Sequence, residues 1–281
     1  MSTSTLPQDA WPAEIAPRLE LALQAGREAG AITLEYFRRS DLHIERKGDD
    51  SPVTQADRRA EEHLRFRIAQ AFPADGILGE EFPEQLGRSG YRWILDPIDG
   101  TKSFIHGVPL YGTLIGVEYG GRSVLGVILL PALDEYVYAA VGQGAWHVRA
   151  DQPAQPARVS TCGRLAEGLF VTSEVANFDR IGRRDAYDRL QAACRLARTW
   201  GDCFGYVLVA TGRAEVMVDP ILNLWDAAAL QPILEEAGGT FTDWQGRPTI
   251  HSGQGIATNG RVLAEVLSLV AGTRYAQSAC P

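Results

Sequence analysis

The sequence predicts a layered fold of the α/β class, and three features of its pattern indicate it. The first part of the chain contains two segments whose apolar residues recur with helical spacing. Short apolar runs separated by glycine and proline turns follow, as in an antiparallel meander. The remainder alternates strand-like and helix-like segments, which is typical of helices packed on a sheet. We therefore expect two closely packed halves, residues 1–150 and 151–281.

Two helices are predicted before the meander. The segment Ala13–Phe37 places apolar and small side chains three or four residues apart, so one stripe faces a core. A glycine and a proline then interrupt the pattern, and Thr54 can cap a second helix, Gln55–Phe72, with Phe66 among its apolar positions. Asp57 lies in its first turn, where interaction with the helix dipole is enough to explain an acid.

The meander begins after a short strand, Gly76–Glu81, that ends in two adjacent acids of a kind often found on solvated surfaces. The glycines of Gly142–Gly144 lack the strand and helix context of a dinucleotide-binding motif, so they indicate a hairpin turn. The further strands are predicted at Tyr111–Glu118, Ser123–Leu130, Glu135–Val141 and Ala145–Val148.

The second half follows a loop at Asp151–Pro156 and alternates its elements. Strands are predicted at Leu169–Thr172 and Glu215–Val218, and helices at Asp185–Leu196, Phe204–Thr211, Leu224–Ala237 and Arg261–Ala271.

The composition is that of a globular protein with an acidic balance. The chain has 281 residues, enough for a large core, and a formal net charge of −8. Because nucleic acids are bound by clustered lysine and arginine, which this sequence lacks, we expect no nucleic-acid partner. Its acidic side chains are free to hold metal ions instead.

The cysteines and the N-terminal sequence indicate a cytoplasmic protein. The four cysteines are scattered without a Cys-x-x-Cys pair, so a reducing compartment is the simpler expectation and a structural zinc site is not expected. The segment Met1–Pro12 has no basic and apolar regions of a signal peptide, and no later run is long enough to cross a bilayer. We expect no membrane partner.

The chain is organised around the stretch Tyr91–Tyr119. The apolar run Trp93–Leu95 predicts a buried strand that delivers Asp96 and Asp99 to a loop, with a proline between them that limits their freedom to separate. Paired carboxylates are the hard oxygen ligands that Mg²⁺ prefers. A polar turn between two strands would use the same Asp-Pro and Asp-Gly pairs, so this stretch alone leaves both interpretations open.

Two more acidic positions bear on that choice. Glu80 ends the short strand before this stretch, and Asp226 opens the helix Ala227–Ala237, where an N-terminal cap is the ordinary reason for an aspartate. Taken in chain order, the acids and their neighbours resemble the inositol monophosphatase family of magnesium-dependent, lithium-sensitive phosphatases. The motifs that carry the resemblance are Gly79-Glu80-Glu81, Asp96-Pro97-Ile98-Asp99-Gly100-Thr101, and Trp225-Asp226 followed by Ala237-Gly238-Gly239.

The resemblance extends from about Lys47 to Asn259 and implies both a fold and a reaction. The implied fold is the α/β/α/β/α sandwich of the sugar phosphatases, whose two halves form one catalytic unit with metal ions between them. The implied reaction is hydrolysis of a phosphate monoester with two or three Mg²⁺ ions. Family members are commonly homodimers, so a homodimer is implied here as well.

The resemblance also implies individual ligands. Glu80, Asp96 and the carbonyl of Ile98 would hold one Mg²⁺, and Asp96, Asp99 and Asp226 a second. Glu80 would also contribute to a third, weaker site.

Two side chains are implied to act on water, and backbone amides to bind phosphate. Thr101 and Asp57 would position and deprotonate the attacking water, with Glu80 as the third catalytic residue. The backbone amides of Gly100 and Thr101 would cradle the phosphate.

The substrate follows from finer features. Gly201-Asp202-Cys203 and Asp219 stand where inositol phosphatases usually have small neutral residues and a glutamate, and Asp202 is an additional acid. A carboxylate at this position suits a cationic amine better than a polyol. Together with RTWGDCFGYVLVATGRAEVMVDP, NLWDAAALQPILEEAGG and FTDWQG, these positions resemble the histidinol-phosphate phosphatases of the superfamily.

We therefore expect hydrolysis of L-histidinol phosphate, with Asp202, Asp219, Asp226 and the neighbouring Gly201 and Cys203 binding substrate. The alternatives are an inositol-1-monophosphatase, a 3′-phosphoadenosine 5′-phosphate phosphatase, and a non-enzymatic binding partner of transcription machinery. The five histidines show no metal-ligand spacing and are assigned to the surface or to packing. Trp200 and Trp244 are expected mostly in the core, with Trp200 near enough to Asp202 to flank a substrate ring.

Overall fold

The structure, a computed structural model, describes residues 11–46, residue 48 and residues 52–272, with the side chains of residues 11–13 left out. An N-terminal sheet of seven strands has the order β3-β4-β5-β6-β7-β8-β9. Its β3 and β4 are parallel and the other neighbours antiparallel, which confirms the predicted meander. Its strands are β3 (Gly76–Gly79), β4 (Tyr91–Asp99), β5 (Gly112–Tyr119), β6 (Arg122–Leu130), β7 (Glu135–Ala140), β8 (Ala145–Arg149) and β9 (Gln155–Pro156). A two-stranded sheet, β1 (Ile44–Arg46) with β2 (Pro52–Thr54), precedes them.

A second sheet of five strands has the order β11-β10-β12-β14-β13. Its β10 is parallel to both neighbours, whereas β14 is antiparallel to β12 and β13. The strands are β10 (Leu169–Val171), β11 (Leu196–Arg198), β12 (Val216–Asp219), β13 (Thr240–Thr242) and β14 (Gly255–Thr258).

The helices complete five layers because both sheets are apolar on both faces. Successive residues of β5 alternate between two cores, so that Leu114 packs with the middle helices and Ile115 with the outer pair. The same alternation in β12 sends Met217 to the middle layer and Val218 to the far side. The result is the predicted α/β/α/β/α sandwich. The helices are α1 (Trp11–Leu34), α2 (Gln55–Ala71), α3 (Thr101–Ile105), α4 (Val175–Arg180), α5 (Arg184–Ala193), α6 (Asp202–Ala210), α7 (Leu224–Ala227), α8 (Leu230–Glu236) and α9 (Leu263–Ala271).

The break between α7 and α8 rests directly on the N-terminal sheet. A Cβ at Gly116 of β5 would lie 2.6 Å from the Cβ of Ala228, and one at Gly126 of β6 would overlap the carbonyl oxygen of Ala229. Ser123 Oγ donates to the carbonyl oxygen of Ala228 at 2.5 Å. The two glycines therefore let a helical turn approach the strands closely.

Several predicted elements need correction. The predicted loop at 151–156 contributes the short strand β9, and the end of the predicted helix at 185–196 enters β11. Strands β13 and β14 were not predicted, and the predicted helix at 224–237 is divided into α7 and α8. Phe66, expected to be buried, is 59% exposed.

Some of the predictions concern residues that the structure does not describe. Met1–Ala10 and Cys280 lie outside the described residues, as do residues 47 and 49–51 of the predicted irregular segment. Within the described part of the chain, every helix is too short or too polar to span a bilayer.

Candidate active site

The site begins where β4 loses its register. Pairing with β5 is regular up to Asp96 and shifts before Asp99, because Pro97 between them has no N–H to donate to the ladder. Thr113 Oγ1 donates to the free carbonyl of Pro97 at 2.8 Å, and the amide of Ile98 donates to Asp96 Oδ1 at 3.0 Å. The predicted strand is confirmed, but it continues through Asp99 instead of ending at Leu95, so the two acids lie at its irregular end. This end, Asp96–Gly100, is the β4 loop, and these two bonds hold it.

Gly100 turns the chain from this loop into α3. Its φ of 83° lies in the left-handed region, which only glycine adopts without strain. A Cβ here would lie 2.9 Å from Asp202 Oδ2, so the glycine also makes room for a carboxylate from the other half of the chain. Thr101 begins the helix, and its hydroxyl donates to the carbonyl of Ile98 at 3.0 Å.

Asp226 reaches the same place from the C-terminal half. It lies in α7, where a capping box with Asn223 fixes it: the Asn223 amide donates to Asp226 Oδ2 at 2.7 Å. The cap is therefore Asn223, and Asp226 is its partner in the first turn and not the expected cap. The same side chain also faces the β4 loop. Carboxylate oxygens of Asp96, Asp99 and Asp226 lie within 4.8 Å of one another.

Burial and mutual repulsion make this cluster unfavourable as three bare anions. Burial, with the negative charges of Glu80, Asp99 and Asp226, raises the pKa of Asp96 well above its usual range. Burial and the charges of Asp202 and Asp226 do the same for the pKa of Asp99. Burial is also the main reason that the pKa of Asp226 rises to about 7. The cluster therefore requires either protons or a cation.

Glu80 stands at the edge of the cluster. It follows β3, and its amide donates to the carbonyl of Leu95, the residue before Asp96, at 3.2 Å. Its carboxylate lines the same cavity, and its charge contributes to the raised pKa values of Asp96 and Asp226. The predicted strand is confirmed but ends at Gly79, before the two acids, and Glu80 after it is directed to the site.

Asp57 lies in the first turn of α2, where it forms a capping box with Thr54, the predicted cap. One of its oxygens, Oδ2, accepts from the amide of Thr54 at 2.8 Å and from its hydroxyl at 2.6 Å. Asp57 is 1% exposed, and burial raises its pKa to about 6, with a contribution from the charge of Glu80. The aspartate thus has a structural role in the cap, and it lies close enough to Glu80 for the charge of Glu80 to act on it.

The start of α6 supplies the C-terminal wall. The amide of Cys203 donates to Asp99 Oδ2, and the amide of Asp202 donates to Ser173 Oγ at 2.8 Å. Asp202 has a φ of 51°, an uncommon value for a residue with a side chain. Burial and the charge of Asp219 raise its pKa to about 6. A Cβ at Gly201 would overlap Ser173, so glycine permits this tight turn.

Asp219 is buried under the site and fully hydrogen-bonded. Its carboxylate accepts from Ser173 N and Oγ, each at 3.0 Å, from the Tyr206 hydroxyl at 3.0 Å and from Thr172 Oγ1 at 3.3 Å. Burial raises its pKa, and these four bonds counter that rise. Thr172 and Ser173 were missed by the sequence analysis, although Thr172 ends a predicted strand and Ser173 follows it, at the carboxyl edge where such sites form.

One cavity of about 720 Å³ is lined by acids from both halves of the chain: Glu80, Asp99, Asp202, Asp219 and Asp226. Trp200 was expected mostly in the core, but it is 41% exposed on the cavity wall, whereas Trp244 is buried at 6% as predicted. Lys102 and Glu174, neither of them predicted to pair, form an ion pair at 2.5 Å across the cavity mouth. Every residue predicted to bind substrate lines this cavity: Gly100, Thr101, Gly201, Asp202, Cys203, Asp219 and Asp226.

The histidines and cysteines have other positions. His63, His147 and His251 each lie beside a glutamate that also binds an arginine, which agrees with their assignment to surface and packing. Cys162 and Cys194 are free, as is Cys203.

The donor set fits a hard divalent cation. Three carboxylates from two separate segments of the chain converge here, and they lack a set of hydrogen-bond donors like the four that Asp219 has. Carboxylates together with a backbone carbonyl are the oxygen ligands that Mg²⁺ takes. An ion placed there would offset the repulsion that raises the pKa values of the cluster.

Comparison with known proteins places the chain among phosphatases. The sequence model of the inositol monophosphatase family matches residues 14–274. A histidinol-phosphatase from Chlorobaculum parvum is 45% identical over 251 residues, covering 89% of this chain and 95% of its own. A histidinol-phosphatase from Streptomyces coelicolor is 39% identical over 253 residues, with the same coverage of 89% and 95%.

The fold agrees. The solved structure of an IMPase from Thermotoga maritima superposes with a TM-score of 0.81 at 30% identity, covering 91% of this chain and 97% of its own. The layered architecture, the acidic cluster between its halves and these similarities have one explanation: the chain belongs to the inositol monophosphatase family and is a phosphatase.

Proposed function

We propose that the protein hydrolyses L-histidinol phosphate to L-histidinol and phosphate with Mg²⁺. The observation that carries the proposal is Asp202, a carboxylate in the cavity wall beside the cluster of Asp96, Asp99 and Asp226. Its position suits a substrate whose phosphate faces the cluster and whose other end is a cation. The similarity to proteins named histidinol-phosphatase supports the same substrate.

Two or three Mg²⁺ ions would be held by the residues around the β4 loop. We assign Glu80, Asp96 and the Ile98 carbonyl to one ion, Asp96, Asp99 and Asp226 to a second, and Glu80 to a third, weaker one. When bound, Mg²⁺ supplies positive charge that offsets the phosphate dianion and makes water more acidic.

The chain's own groups bind and orient the reactants. The backbone amides of Gly100 and Thr101, at the start of α3, would donate to phosphate oxygens. The Thr101 hydroxyl, which donates to the carbonyl of Ile98, has lone pairs free to accept a hydrogen bond from the attacking water and so to orient it. Asp57, with a pKa near 6, would act with Thr101 and Glu80 as the proton acceptor.

The substrate's amine and imidazole would occupy the C-terminal wall. Asp202 would pair with the cationic amine, and Trp200 would offer a flat apolar surface to the ring. Asp219 already accepts four hydrogen bonds, so it would contribute negative charge and hold Ser173 in place.

The decisive test compares kcat/KM for histidinol phosphate and inositol 1-phosphate with Mg²⁺. We expect a clearly higher kcat/KM for histidinol phosphate. In Asp202→Asn, kcat/KM for histidinol phosphate should fall about tenfold or more, because a hydrogen bond to a charged group is lost. Asp188→Asn, the same change at an exposed position outside the cavity, is the matched control. A preference for inositol phosphate would overturn the assignment in favour of an inositol-1-monophosphatase.

Other properties follow from the family and are proposed with it. We propose a cytoplasmic homodimer that is inhibited by lithium, without nucleic-acid or membrane partners. Light scattering would test the dimer, since a single-chain mass contradicts it, and a lithium titration would test the inhibition.

Two alternatives are separable by assay. A 3′-phosphoadenosine 5′-phosphate phosphatase would turn over that nucleotide faster than histidinol phosphate. A binding partner of transcription machinery would release no phosphate with any ester.

A further inference from the structure

A second buried carboxylate lies one helical turn beyond Asp57. Glu61 is 0% exposed and shares a face of α2 with Asp57, because residues four apart lie above one another on a helix. The proposed chemistry does not use it. A fully buried glutamate is costly unless it is paired, so its partners indicate its purpose.

Both oxygens of Glu61 are engaged, and one of them binds the segment that carries Glu80. Oε2 accepts from the amide of Glu81 at 2.8 Å, and Oε1 accepts from Nε of Arg65 at 2.7 Å. Arg65 in turn donates through Nη2 to the carbonyl of Phe82 at 3.0 Å. Helix α2 therefore binds the backbone immediately after Glu80 through two hydrogen bonds, one to the amide of Glu81 and one to the carbonyl of Phe82.

Gly79 makes the third contact on the other side of Glu80. A Cβ at this position would overlap the carboxylate of Glu61, so the glycine lets the end of β3 lie against the buried acid. The Glu80 amide is itself fixed to β4 through the carbonyl of Leu95 at 3.2 Å. Every backbone unit from Gly79 to Phe82 is thus tied to α2 or to β4.

We infer that Glu61, held by Arg65, is a positioning residue: it fixes the backbone that presents the Glu80 carboxylate to the divalent-cation site. The inference rests on the proposed function, because it takes Glu80 as a ligand of Mg²⁺. Residues that orient metal ligands without touching the metal commonly alter metal affinity by about 10- to 100-fold when changed.

Two variants test it, with a control on the same helix. Glu61→Gln replaces one acceptor oxygen by an NH₂ group, which then faces a donor. Arg65→Lys keeps the charge but cannot bind Glu61 and Phe82 together. Glu62→Gln makes the same chemical change as the first variant at an exposed position.

The Mg²⁺ concentration at half effect is measured in two ways: by the rise in unfolding temperature of chelator-treated protein, and by activity. We expect both midpoints to rise about tenfold in Glu61→Gln and less in Arg65→Lys, with kcat largely recovered at saturating Mg²⁺. Glu62→Gln should match the wild type.

Unchanged midpoints in both variants would overturn the inference and leave Glu61 as a residue that only stabilises the fold. If Glu61→Gln does not fold, the midpoint of Arg65→Lys decides. A wild type without any Mg²⁺-dependent shift would overturn the metal site and this inference together, which separates that failure from a failure of Glu61 alone.

Discussion

Two buried acidic sites lie in one cavity and are stabilised in different ways. Asp219 accepts four hydrogen bonds from the protein itself. Asp96, Asp99 and Asp226 face one another with carboxylate oxygens within 4.8 Å. Burial raises the pKa of Asp219 and, together with neighbouring charges, raises the pKa of Asp96 and Asp99 well above the usual range.

The difference separates a carboxylate that binds donors of the protein itself from carboxylates that remain able to bind a cation or protons from solution. Asp219 has partners in any solution, because its donors belong to the chain. The cluster lacks an equivalent set, so its stability depends on what the solution supplies. The following predictions test that distinction, from the largest expected effect to the smallest.

Asp96→Asn should give the largest loss. Asp96 is assigned to two ions, and losing its charge should lower kcat/KM by about a thousandfold, the size of a missing electrostatic contact in other enzymes. Because it also removes repulsion, the chelator-treated variant should unfold at a temperature no lower than that of the wild type. Phosphate release and thermal unfolding with and without Mg²⁺ measure both effects, and retained Mg²⁺-dependent activity would contradict the assignment.

Metal-free protein should lose stability as pH rises from about 4 to about 7. Burial raises the pKa of Asp226 to about 7 and that of Asp57 to about 6. The folded chain binds more protons than the unfolded chain in this window, so stability present below the ordinary aspartate pKa is lost as pH rises through the folded pKa. We expect a loss of about 1–4 kcal/mol, recovered by Mg²⁺ near neutral pH.

Denaturant unfolding across this pH range, with chelator or with Mg²⁺, checks the prediction. Asp226→Asn should flatten the curve because its titration is removed. An equal slope in that variant would mean that other groups titrate instead.

Asp219→Asn should act mainly on folding. Its NH₂ group cannot accept from Ser173 and Tyr206, so we expect a loss of about 1–3 kcal/mol of unfolding free energy that Mg²⁺ does not restore. Tyr206→Phe removes one of the four bonds and should cost about 1 kcal/mol. A Mg²⁺ midpoint shifted as far as in Asp96→Asn would show that the two acidic sites are not distinct.

Lys102→Gln should have the smallest effect. The ion pair with Glu174 crosses the cavity mouth with side-chain exposures of 64% and 33%, so water and salt weaken it. We expect a change below about 1 kcal/mol in unfolding free energy. A larger loss, measured by denaturant unfolding at low salt, would mean that this pair joins the two halves of the chain.

The sequence predicted the parts of the fold in which the local pattern of apolar and capping residues agrees with the way the segment packs. Strand β4 was predicted from its apolar run, but the sequence pattern placed its end at Pro97, whereas the strand continues to Asp99 after a shift in register. The cap at Thr54 was predicted from local sequence, but the part of Asp57 in the capping box was not, because the sequence analysis explained this acid by the helix dipole.

The rest depends on contacts distant in sequence. Strand β11 has three residues, too few for a periodic signal. Trp200 lies on a cavity wall that exists only after α6 and the β4 loop meet, and the left-handed Asp202 has no marker in its neighbours. Ser173 binds Asp219, and Glu61 binds the amide of Glu81, through hydrogen bonds between residues distant in sequence.

The glycines beneath the junction of α7 and α8 carry a final consequence. Because Gly116 and Gly126 have no side chains, helical backbone sits against the strands, and Asp226 is carried on that backbone. The spacing between ligands is therefore set partly by residues without any reactive atom. A single methyl group added at Gly116 would push α7 away from the strands and lower the affinity for Mg²⁺, although every oxygen ligand is still present. A Gly116→Ala protein with an unaltered Mg²⁺ titration would show that the spacing between the ligands is set elsewhere.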